Sequence, residues 1–151
     1  MSNVSPPRVL SILVVDDHED TARSAEMLLE LMGHAPRGFT NSRDALDSLR
    51  GWTPDVAMLD LMMHPVDGCE LAQQICRSAH RRPLLIAVTG LSRPSDFERS
   101  RAAGFDHHLL KPCDPFELRQ ILNAHASRIE TDEAIEAGAA DQHLVESDGH
   151  R

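Results

Sequence analysis

Positive charge is scarce in this chain. Fifteen Lys and Arg stand against 24 Asp and Glu, a formal net charge of −9, and no cluster of bases interrupts the deficit. Binding along a phosphate backbone wants a basic face, so a nucleic-acid partner is excluded. Cysteine is scarce as well: Cys69, Cys76 and Cys113 are an odd number without a Cys-x-x-Cys pair. Cys69 and Cys76 would fall two turns apart on one helix, too far to bridge. Reduced thiols in a cytoplasmic compartment are therefore expected. No apolar run approaches the roughly 20 residues that cross a bilayer, and the first residues lack the basic region and cleavage site of a signal peptide. A cytoplasmic protein without membrane contact is the expectation. Internal repeats are missing, and His18, His34, His80 and His125 do not form a zinc spacing.

Against these absences stands an ordinary globular composition. The 151 residues are 41% apolar, enough for one domain with a proper core. Residues 9–15, VLSILVV, form a nearly unbroken β-branched run, as in a strand covered on both faces. A helical stripe follows with Ala25, Leu28, Leu29 and Met32, stopped by Gly33. Residues 34–39 read as a strand, but Pro36 cannot donate to a ladder and confines it to a sheet edge. Further strand-then-helix units follow at 56–59, 84–88 and 109–110, with helices opening near Gly68, Ser95 and Pro115. The methionines at 27, 32, 58, 62 and 63 read as core or near-core filling.

Five such units predict an α/β fold: a doubly wound, five-stranded parallel sheet of flavodoxin-like order 2-1-3-4-5, sandwiched between helices. In that order the ligand site lies at the carboxyl ends of strands one and three. Those ends carry Asp16-Asp17 and Asp60, while Thr89 and Lys111 follow strands four and five. Taken singly, each has a bland reading: a double Asp caps a helix, Asp60 is a loop carboxylate, Thr89-Gly90 is a turn and Lys111 a surface base. Occurring together, in order, they make a magnesium-dependent phosphoryl-transfer site. A carboxylate nucleophile repels a phosphate donor unless a divalent cation neutralises the group. An ammonium supplies a second positive charge, and aspartyl phosphate formation is established covalent chemistry.

The stretch from residue 9 to about 126 resembles the receiver domain of two-component response regulators. The resemblance rests on Val14-Val15-Asp16-Asp17, Met58-Leu59-Asp60, Asp67-Gly68, Val88-Thr89-Gly90, Ala103-Gly104-Phe105-Asp106 and Leu110-Lys111-Pro112. It implies that Asp60 accepts phosphate from a histidine kinase or histidine phosphotransfer protein. It also implies that Asp17, Asp60 and the Met62 carbonyl hold Mg2+, with Asp16 acting through water. Thr89 and Lys111 would contact the phosphoryl group, and the Lys111-Pro112 bond would be cis. Thr89 would couple to the residue three before the lysine, here His108; a partly buried structural histidine is the other reading. The family resemblance implies output by protein contact through the face made by the fourth helix, fifth strand and fifth helix. Residues 105–112 look most like receivers of hybrid histidine kinases, and a monomer or weak dimer is expected.

Two positions depart from the family pattern. Proline commonly stands four residues after the acceptor; here His64 stands there and Pro65 follows. His64 could approach the phosphoryl group or a soft metal, or face solvent. Met62 is apolar where small polar residues also occur, which predicts shielding and a long-lived phosphorylated state. The expected organisation is a flexible leader (1–8), a receiver domain (9–126) and an acidic, largely disordered tail (127–151), whose first part can extend the fifth helix. From Ser127 onward seven Asp or Glu face two Arg. The chain is not expected to be an enzyme beyond its own phosphorylation and dephosphorylation. The competing functions are a small-molecule phosphatase or phosphotransferase using the same aspartyl intermediate, and a binding module independent of phosphate. Leu61 and Met62 stand where such an enzyme usually carries an acid/base Asp.

Overall fold

The computed structural model describes residues 8–148, with side chains described to residue 138. The leader expected over 1–8 lies outside them apart from Arg8, which pairs with Glu133 at 2.8 Å. In chain order the elements are β1 (Ser11–Val15), α1 (Glu19–Leu31), β2 (Ala35–Phe39), α2 (Ser42–Ser48) and β3 (Val56–Leu59). They continue as α3 (Gly68–Ser78), β4 (Leu84–Thr89), α4 (Pro94–Ala102), β5 (His107–Leu110) and α5 (Pro115–Asp148). The five strands are parallel in the order β2-β1-β3-β4-β5, the expected doubly wound sheet. β2 is the edge strand that Pro36 requires.

Strand side chains alternate between two cores. On one face Leu13, Val15, Ala57, Leu59, Leu85 and Ala87 meet Ala45 of α2 and Leu71, Ala72 and Ile75 of α3. On the other, Ile12, Val14, Val56, Met58 and Ile86 meet Leu29 of α1 and Leu118, Leu122 and Ala126 of α5. Burial of both faces is why these strands read as continuous apolar runs rather than alternating ones. Gly33 and Gly104 end their helices at φ of 91° and 99°, where a side chain would be strained.

Three expectations need correction. Residues 127–148 are all helical, because α5 continues to Asp148, so the helix reaches well past the first part of the tail. Low apolar content argued against packing, and residues 130–138 are indeed exposed. Helix formation there follows instead from Glu and Ala, both good helix formers, and from the absence of proline. Met27 is 59% exposed on the outer side of α1, and Met62 is 57% exposed in a loop, so neither fills the core. Met58 and Met63 do, and Met32 packs against it. Among the described residues no helix is long and apolar enough to cross a membrane.

Candidate functional site

The carboxyl ends of β1 and β3 sit side by side, since Val15 pairs in register with Leu59. The next residue on each strand is an aspartate still held by the sheet. The Asp16 amide donates to the Phe39 carbonyl at 3.1 Å and the Asp60 amide to the Val15 carbonyl at 3.0 Å. Asp60 is 6% exposed. One of its oxygens accepts from the Met62 amide at 3.0 Å, and the other faces the Lys111 amine at 3.4 Å. Lys111 Nζ lies closer to Asp16, at 2.8 Å. It is the only lysine in the chain; the other fourteen bases are arginines. Its backbone amide donates to the Thr89 carbonyl at 3.0 Å, which ties β5 to β4 at the rim of the site.

Electrostatics follow from this crowding. Burial raises the Asp60 carboxyl above its ordinary value; the Met62 amide and Lys111 oppose the shift, and Asp16 adds to it. Burial alone would lower the Lys111 amine. The bonded Asp16 and the nearby Asp60 outweigh that and hold it above its usual value. Asp16, Asp17, His18 and Asp60 each offer one ligand atom, all within 4.8 Å of one another. Three carboxylates against one ammonium leave a local excess of negative charge. An oxygen-rich donor set of this kind fits a hard divalent cation. Beside it, between α1 and α5, opens a cavity of about 500 Å³ bordered by Thr21, Ala25, Leu28, Met58, Pro112 and Leu118.

The approach of α3 shapes the floor of the site. Asp67 caps α3 by accepting from the Glu70 amide at 2.9 Å, and it also pairs with Arg99 of α4. Gly68 donates to the Leu61 carbonyl at 3.1 Å. A Cβ at Gly68 would lie 2.8 Å from Leu61 Cα and run into the Asp60 carbonyl oxygen. Only glycine lets the helix start pass this close to the end of β3.

Thr89 is buried at the end of β4, and its hydroxyl accepts from the Leu91 amide at 3.2 Å. His108 stands on the neighbouring strand, in register with Ala87. Its Nε2 lies 2.9 Å from the Leu91 carbonyl, which can only accept, so Nε2 donates. Its Nδ1 lies 2.9 Å from Ser100 Oγ, and its ring stacks on Phe97 at 4.1 Å between centroids. The ring thereby joins β5, α4 and the loop after β4. The Lys111-Pro112 bond is cis, as is His64-Pro65.

Most expected residues thus converge. Asp16, Asp17, Asp60 and Lys111 form one cluster, and Thr89 and His108 lie along the adjoining strand ends. The Met62 amide touches Asp60, but its side chain faces outward. His64 is exposed and stands outside the acidic group. His18 belongs to this group through its immediate neighbour Asp17, a signal that spacing between histidines does not carry.

An acid-lined pocket with one lysine, at the switch point of a doubly wound sheet, defines a protein that can hold a cation and an anionic group side by side. Comparison with known proteins makes the assignment specific. The profile of the family described as "Response regulator receiver domain" matches residues 12–123, and the chain belongs to that family of two-component signalling. It is 32% identical over 117 residues to an uncharacterized 14.6 kDa protein of Leptolyngbya boryana, covering 77% of this chain and 89% of that one. It is 33% identical over 132 residues to the virulence sensor protein BvgS of Bordetella pertussis, covering 82% of this chain but 11% of that protein. The response regulator MprA of Mycolicibacterium vanbaalenii is 31% identical over 129 residues, 85% of this chain and 55% of MprA. This chain therefore spans only part of the length of several curated relatives. Among solved structures, the receiver domain of a signal transduction histidine kinase from Syntrophus aciditrophicus superposes with a TM-score of 0.71 at 29% identity, covering 80% of this chain and 92% of that one.

Proposed function

We propose that this chain is a phosphoacceptor receiver in which Asp60 takes a phosphoryl group from a phosphorylated histidine. The single observation that carries the reading is the meeting of Asp16, Asp17, Asp60 and Lys111 at one sheet edge. Asp17, Asp60 and the Met62 carbonyl would hold Mg2+, with Asp16 acting through water. When bound, the ion would offset charge on the carboxylates and on the transferred oxygens. An Asp60 oxygen attacks phosphorus, the phosphorus–nitrogen bond breaks, and the donor imidazole leaves with the bonding pair. Lys111 then turns from the carboxylates toward the phosphoryl oxygens.

Thr89 leaves the Leu91 amide to donate to a phosphoryl oxygen, which loosens the loop that His108 grips from the other side. Output follows as altered protein contact on the α4-β5-α5 face. The phosphate donor would be a histidine kinase or a histidine phosphotransfer protein, and the setting cytoplasmic. The receiver domain spans residues 9–126, with the rest of α5 as an extension. Family membership does not make the chain a classical enzyme, and only self-directed phosphorylation and dephosphorylation belong to this reading. A small-molecule phosphatase finds no support, because Leu61 is buried and Met62 is apolar.

Incubation with acetyl phosphate and Mg2+ tests the reading. Intact-mass spectrometry should find one added phosphoryl group on the parent and none on Asp60→Asn. Continuous turnover of small phosphate esters would favour the phosphatase, and no adduct on either protein would favour a phosphate-independent module.

A further inference from the structure

His18 occupies a position the acidic site does not need for an oxygen-bound cation. It is the N-cap residue of α1, yet its side chain makes no capping hydrogen bond. Its amide already donates to Asp16 Oδ1 at 2.9 Å, which fixes the turn. The imidazole instead points back over the acids, with Nδ1 at 3.0 Å from Asp17 Oδ1 and 3.4 Å from Asp16 Oδ1. It is the one nitrogen donor in the four-residue group.

We infer that His18 is a ligand of the divalent cation, so that the site takes later first-row transition ions such as Ni2+ with a preference that carboxylates alone would not give. The inference rests on the receiver reading, because it places the nitrogen on the cation which that reading calls for. Metal–ligand bonds of roughly 2.1 Å put adjacent octahedral ligands about 3 Å apart. The 3.0 Å from Nδ1 to Asp17, the neighbouring direct ligand in that reading, matches that spacing. Imidazole suits later transition ions such as Ni2+, whereas Mg2+ keeps oxygen ligands and several waters. The His18 side chain is 74% exposed, so nothing blocks its approach to an ion held by Asp17, and water can fill the remaining positions.

A salt link between His18 and Asp17 is the competing explanation, and the two differ in what a bound metal sees. Pulsed electron paramagnetic resonance on the Mn2+-loaded full chain reads directly bonded nitrogen. The parent should show nitrogen modulation, excess Mg2+ should remove it by displacing Mn2+ from the same site, and His18→Ala should lack it. Calorimetry should find Ni2+ affinity lowered at least about 10-fold in His18→Ala, with Mg2+ affinity changed by less than about two-fold. His18→Asn supplies a good N-cap residue, so loss of nitrogen in both variants cannot be a folding effect. Mn2+ bound at the Mg2+-competable site without nitrogen modulation would overturn the inference and leave the receiver reading standing. Failure of every divalent ion to bind, together with no phosphorylation of Asp60, would overturn both.

Discussion

Removal of the Lys111 ammonium should destabilise the cation-free protein by an amount the site geometry bounds. Lys111 Nζ lies 2.8 Å from Asp16 and 3.4 Å from Asp60. At an effective dielectric near 20, unit charges at these separations attract by roughly 5–6 kcal/mol. Desolvation of the three groups cancels most of that gain. Breaking a buried pair by deleting one partner nonetheless costs about 3–5 kcal/mol, since the other charges stay behind. The lysine side chain is 29% exposed, so solvent screening brings the cost below that scale, to about 2–3 kcal/mol. Lys111→Met keeps the aliphatic stem and removes only the charge. Thermal melts in a chelator at neutral pH should place it roughly 6–12 °C below the parent. A divalent cation should recover part of the gap by replacing the lost positive charge. Equal melting temperatures in chelator, with no differential gain from cation, would refute the account of a carboxylate cluster held together by its lysine.

Burial lowers the pKa of both His34 and His125. His34 Nδ1 accepts from the Leu10 amide at 3.1 Å, a bond only the neutral ring can make. The unfolded chain binds these protons more readily, so stability is full above about pH 6.5 and falls as pH drops below it. Urea midpoints between pH 7.5 and 5.5 should show the loss. His34→Gln should flatten it, measured in an Asp60→Asn background because the raised Asp60 carboxyl contributes the opposite slope. Gly68→Ala should cost about 2–3 kcal/mol by denaturant titration and slow acceptance of phosphate, because the new Cβ meets backbone that cannot move aside. His108→Phe keeps the stack on Phe97 but loses the bonds to Ser100 and the Leu91 carbonyl. It should lose about 1 kcal/mol and speed amide exchange in the loop between β4 and α4; unchanged exchange would show that the ring does not hold that loop.

Much of this was legible in the order of residues. Apolar runs closed by Asp16, Asp60, Thr89 and Lys111 carried both the parallel sheet and the edge where function collects, because the C-terminal end of a parallel strand points into the crevice. Pro36 marked the edge strand. Other features depend on information that pattern does not hold. Hydropathy makes Met27 and Met62 apolar but cannot say which side of a helix or loop faces water. Apolar content governs whether the end of α5 packs, whereas its helicity follows propensity. The spacing of His18 from other histidines carries no signal, because a mixed nitrogen and oxygen group is assembled by whichever donors the turn after β1 brings together. The bond from the Leu10 amide to His34 crosses between segments and leaves no local trace.

Reduction of the phosphorylated chain with borohydride tests the central claim most directly. The reagent converts an acyl phosphate, but not a free carboxylate, to an alcohol, and peptide mapping then locates the altered residue. Homoserine is expected at position 60 and nowhere else, dependent on both divalent cation and phosphodonor. Modification at Asp16 or Asp17, or none at all under conditions that load the cation, would contradict it.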